Sequence, residues 1–134
     1  MRALLKFILA GLIVFSLVAG VLIWAKDWRI WQLEADEMAI WRPSLAHTET
    51  RYEKRVPWIP VAAQSERATI DRFLDLATTE DAALAEKEAN EAALRAGWTA
   101  SDRKGSYRKQ MNRGIVAWLG IRRTDSRLAL SLDG

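Results

Sequence analysis

The chain has 134 residues and a mass of 15.2 kDa; half of the residues are apolar, and 20 basic against 17 acidic side chains leave a net charge of +3. This length accommodates one membrane segment and one small extramembrane region rather than two independent domains, and so mild a charge does not mark a nucleic-acid binder. Cysteine is absent, which removes disulfides, thiolate metal sites and cysteine nucleophiles.

Residues 7–25 contain no charged side chain, and Ser16 is the clearly polar one among them. As a helix this run spans about 28 Å, close to the hydrocarbon thickness of a bilayer. Helix is the form that satisfies its own backbone in lipid. Arg2 and Lys6 flank one end, and Trp24, Lys26, Trp28 and Arg29 flank the other with residues that settle at headgroup level. A cleaved secretory signal shares the basic start, but the run exceeds the roughly 7 to 15 apolar residues of a signal core. Val18 with Gly20, or Ile23 with Ala25, is not the Ala-x-Ala cleavage pattern. A retained single-pass anchor is therefore expected. Flanking charges tie, and the short basic tail points to a cytoplasmic N-terminus in a bacterial inner membrane. Ser16 and Gly20, with Gly11 and Ala19, have a spacing that lets helices approach closely, and ordinary membrane-helix composition explains them equally.

Between residues 25 and 42 nothing stops a helix, and Leu33, Glu34, Ala35, Glu37, Met38 and Ala39 favour one. Pro43 ends it. A helix over residues 4–42 would be about 58 Å long, a juxtamembrane stalk. Trp24, Trp28, Trp31, Ala35 and Met38 fall on one stripe, while Ile30, Leu33, Ile40 and Trp41 lie on other sides. Apolar side chains around so much of the circumference call for a protein cover. That cover is either the chain's own C-terminal region or a larger membrane subunit. For the second, Trp24, Trp28, Trp31, Met38, Trp41 and Trp58 are the partner-binding candidates.

Residues 1–42 thus read as transmembrane helix and stalk, 43–63 as an extended connector holding all three prolines, and 64–134 as a small helical region with a basic tail. Ser65 is placed to cap a helix whose face is Ile70, Phe73, Leu74 and Ala77. Residues 80–96 are dense in alanine and glutamate and strongly favour helix, with Gly97 placed to terminate it. In residues 106–119, Tyr107, Met111, Ile115 and Trp118 share a helical face. Residues 127–132 alternate like a strand but lack an evident partner and are read as tail. The expected class is mainly α, with a helical hairpin-like region after the connector.

Charge segregates within that region. Residues 64–94 carry eight acidic and three basic side chains, and residues 95–134 carry nine basic and three acidic. Arg103, Lys104, Arg108, Lys109, Arg113, Arg122 and Arg123 form a candidate surface for anionic lipid headgroups or an acidic partner, joined by Arg127. The internal alternative pairs them with the acidic helix in a hairpin. His47, the one histidine, has only Glu49 as a companion, which makes neither a metal site nor a catalytic set. No Gly-x-Ser-x-Gly, dinucleotide or phosphate-loop sequence occurs. No catalytic, cofactor or metal residue is therefore assigned. The expected function is a non-enzymatic single-pass accessory, scaffold or assembly subunit of a membrane protein complex. The alternative is a membrane-surface module engaging anionic lipid or an acidic partner.

Overall fold

The computed structural model describes residues 1–55 and 67–134. Helix α1 (Arg2–Glu34) leads into a single turn α2 (Glu37–Ile40), strands β1 (His47–Lys54) and β2 (Thr69–Leu76), and helix α3 (Thr79–Arg95). Strands β3 (Thr99–Ala100), β4 (Ser106–Gln110), β5 (Val116–Thr124) and β6 (Arg127–Asp133) follow, with a 3₁₀ turn at Asn112–Gly114. The strands form one antiparallel sheet in the order β1-β2-β6-β5-β4-β3. With about 45% helix and 33% strand the class is mixed α/β, which overturns the mainly α expectation.

The correction is local and has a clear cause. Ile70, Arg72, Leu74 and Leu76 are buried and alternate with half-buried neighbours, so residues 69–76 follow the two-residue period of a strand. Phe73 therefore points away from Ile70 and Leu74, although helical spacing groups the three. Tyr107 and Trp118 likewise separate: the chain reverses at the 3₁₀ turn, Tyr107 sits opposite Leu119, and Trp118 sits opposite Arg108 on the other face. The supposed tail is a central strand. β6 pairs with β2 on one side and β5 on the other. The connector also contains structure, since β1 pairs with β2 along its whole length.

Helix α3 forms as its sequence suggests. Thr78 caps it by accepting a hydrogen bond from the Asp81 amide at 3.1 Å, acidic residues occupy the first turn, and Gly97 follows its end at φ +90°. Ala82, Ala85, Ala89, Ala92 and Ala93 are buried, and their small side chains bring the helix close to the sheet. Leu74, Leu119, Leu128, Leu130 and Leu132 complete the core. Tyr107 donates to Asn90, Ser44 donates to Glu88, and Arg123 pairs with Glu86 at 3.5 Å, tying the helix down.

Helix α1 stops at Glu34, so the uninterrupted stalk to residue 42 is also corrected. The Asp36 side chain accepts from the Met38 amide at 2.9 Å and starts α2 in a new direction. The last turns of α1 lie along one cross-strand row. Ala68 and Gly134 exchange backbone hydrogen bonds of 3.1 and 3.0 Å, extending the register one step beyond Thr69 and Asp133 to Ala117 and Lys109. Asp27 pairs with Arg55 just past β1 at 3.2 Å, Leu33 lies against Gly134, and Asp36 pairs with Lys109 on β4 at 2.7 Å. Asp27 to Asp36 is about 14 Å of helix rise and the four strand spacings are about 19 Å, a difference the long Arg55 and Lys109 side chains close. The helix thus crosses the strand ends in the order β1, β6, β4, and its upstream part leaves the sheet past β1. There, Arg2–Leu22 is long and apolar enough to cross a membrane and none of it is buried.

Gly105 allows the turn into β4. At φ +77° it accepts the Ile121 amide at 2.7 Å, and an added Cβ would come within 2.4 Å of the Ile121 carbonyl oxygen. Gly105→Ala is expected to destabilise the domain by about 1–3 kcal/mol. Denaturant unfolding of the full chain in detergent measures this, and a variant of unchanged stability would refute the close approach.

Candidate functional site

Two polar junctions hold the helices to one face of the sheet. In the first, the Asp36 carboxylate, 6% exposed, accepts from Trp98 Nε1 at 3.0 Å and Lys109 Nζ at 2.7 Å as well as from the Met38 amide. Lys109 also donates to the Ala96 carbonyl at 2.7 Å and lies 5.7 Å from the Trp98 ring centre. In the second, Arg72, 1% exposed, donates to Glu49 at 2.6 Å and to the Met38 carbonyl at 2.9 Å. Arg51 beside it donates to the Ala39 carbonyl at 2.8 Å and pairs with Glu53 at 3.0 Å.

These groups are committed to one another. A cleft of about 300 Å³ beside the first junction is lined by Gln32, Asp36, Lys109 and Asn112, but its carboxylate and ammonium already share a proton-donating contact. His47 Nδ1 lies 2.9 Å from the Leu45 carbonyl oxygen, and Glu49 serves Arg72. Among the described residues no group of three or more His, Cys, Asp or Glu is placed to hold a metal ion. The arrangement fastens a corner of the fold.

The sequence-selected aromatic residues divide. Trp24 and Trp31 are 42% and 41% exposed on α1, and Trp28 is half-buried with the Arg29 guanidinium 5.9 Å from its ring. Met38 is fully buried and Trp41 packs against the core, because the chain turns at Asp36 and folds α2 onto the sheet. Met38 therefore has no surface to offer a partner. Trp58 lies outside the described residues.

The basic residues do not form one helical face, because alternation along strands splits them. Lys109 and Arg123 point to the helix-covered side, where Asp36 and Glu86 take them. Arg108 and Arg122 project from the open side, and Arg103 and Lys104 are exposed in the turn before β4. The side chain of Arg113 lies outside the described part. The acidic and basic helices do not make a hairpin; an acidic helix lies instead on a basic pair of strands.

The open side of the sheet was not visible in the sequence. Tyr52 meets Phe73 edge-on at 6.0 Å, and Arg127 lies 5.6 Å from the Phe73 ring while donating to Asp75 at 2.7 Å. Small residues at Gly120, Ala129 and Ser131 leave a depression of about 290 Å³, rimmed by Phe73 and Arg122. Alternation in residues 127–132 was the available signal, and it required recognising β2 and β5 first.

Removing Asp36 should strand the Lys109 ammonium and the Trp98 indole N–H together. Asp36→Ala is expected to cost on the order of 3 kcal/mol and Lys109→Met a comparable amount, because methionine leaves the buried Asp36 carboxylate without its cation; unfolding curves for both variants check this. The hydrogen bond from Arg72 holds the Glu49 carboxyl below its ordinary value of 4.5. This share of stability is full above 4.5 and is lost as pH falls through the depressed value, since the unfolded chain takes up the proton first. Burial raises Asp133, whose share runs the opposite way, lost as pH rises through its raised value. Glu49→Gln should therefore flatten the acid limb of a stability profile, and an unaltered slope would contradict the pairing.

Comparison with protein-family models, curated proteins and solved structures found no match.

Proposed function

We propose that this chain is a non-enzymatic accessory, scaffold or assembly subunit of a membrane protein complex, held in the bilayer by α1 alone. The N-terminus is on the cytoplasmic side of a bacterial inner membrane, and the sheet domain lies across it. The observation that carries this reading is the length of unburied apolar helix in Arg2–Leu22, including Leu5, Phe7, Leu12 and Phe15. In water such a surface would drive aggregation, whereas lipid is its natural solvent and the helix needs no outside hydrogen bonds. Trp24 and Trp31, exposed where the helix leaves that run, favour a neighbouring membrane subunit. Mutual commitment of the buried acids and bases supports a structural role. Larger membrane subunits are the principal partners, and the exposed Arg103, Lys104, Arg108 and Arg122 favour an acidic surface on one of them.

The full chain should resist alkaline extraction from membranes and retain Met1 by mass spectrometry; a soluble product trimmed near Ala25 would identify a signal sequence instead. In mild detergent it should co-purify with larger membrane subunits, and Trp31→Ala should reduce that recovery several-fold. A monodisperse free monomer would remove the subunit reading. Because the chain has no cysteine, Ser101→Cys reports orientation cleanly: a membrane-impermeant maleimide should reach it from the periplasmic side.

A further inference from the structure

From the path of α1 across the sheet we infer that the domain stands edge-on to the bilayer, with β1 against the lipid headgroups and the β3–β4 edge facing away. This rests on the anchoring role proposed above for α1.

The uncharged apolar run ends at Ala25, and the helix is already fixed to the end of β1 by Asp27 and Arg55, about 3 Å of helix rise later. No room remains for a projecting stalk. Since α1 then crosses β1, β6 and β4 in that order, the strand order of the sheet becomes an order of distance from the membrane. β3 lies five spacings beyond β1, about 24 Å, and carries the exposed Arg103 and Lys104 in the turn that follows it. At that separation salt screens attraction between these cations and lipid charge, so they are available to an acidic protein surface instead.

The proximal edge has the chemistry of a headgroup contact. Tyr52 and Ile40 are 61% and 68% exposed there, Ile40 next to the residue whose carbonyl is bound by Arg51 of β1. The neighbouring charges are balanced, Arg55 by Asp27 and Arg51 by Glu53, so contact requires no anionic lipid. The outer backbone groups of β1 meet water and phosphate rather than hydrocarbon. A second copy does not fit this edge. Continuing the antiparallel sheet through two β1 strands requires a two-fold axis normal to the sheet, which points the two anchors in opposite directions.

The test uses the full chain in phosphatidylcholine vesicles, with nitroxide labels on single-cysteine variants Val14→Cys, Tyr52→Cys and Lys104→Cys, and Thr50→Cys as a second reporter of β1. Relaxation by a nickel chelate tethered to headgroups should be several-fold stronger at 52 and 50 than at 104, while the label at 14 responds to oxygen dissolved in the bilayer. Equal relaxation at 52 and 104, or stronger at 104, overturns the edge-on arrangement and leaves the anchor intact. Shielding of 50 and 52 from both tethered and aqueous nickel also overturns it, indicating a protein strand on β1. A label at 14 that behaves as in water removes the anchor itself.

Discussion

The fold turns on the carboxylate of Asp36. One of its oxygens takes the Met38 amide and Trp98, and the other takes Lys109. The group therefore ends one helix direction, begins another and fastens both to the far side of the sheet. A buried acid is costly unless every lone pair is used, and here the donors come from three separate parts of the chain. That requirement fixes where α1 ends more firmly than helix propensity does, since residues 35–42 taken alone would have continued the helix.

Fixing that corner also fixes the relation between α1 and the sheet domain. Asp27, Leu33 and Asp36 touch the row of residues that runs across the strand ends, so the helix cannot pivot freely where it enters the sheet. The second junction, Arg72 with Glu49 and the Met38 carbonyl, clamps α2 from the other direction. Together they make a rigid elbow in place of a stalk.

What could be read from the sequence follows from how local each element is. The apolar run and α3 are stabilised by nearby residues, in one case by a solvent preference and in the other by alanine propensity and the Thr78 cap, and both are legible. Strands are legible only in company. Residues 69–76 and 106–119 have apolar residues whose spacing satisfies helical and alternating patterns alike, and β6 had no partner until those two were seen as strands. The basic residues suffered the same error: a helix would gather Arg108, Lys109 and Arg113 on one flank, whereas β4 sends Arg108 and Lys109 to opposite faces. Trp24 and Trp31 are exposed as helical spacing implies because they lie on helix, and Met38 is buried because the Asp36 turn precedes it.

The position of β6 has a consequence for assembly of the domain. It follows every other strand in the chain yet sits between β2 and β5, so until it arrives the sheet exists as two unconnected halves, β1-β2 and β3-β4-β5, each with a raw inner edge. Contacts this distant in sequence form slowly, and open edges invite wrong pairings while they wait. On the anchoring role proposed for α1, a nascent chain would hold its helix in the bilayer before its globular part could close, leaving two adhesive ribbons open in the interval.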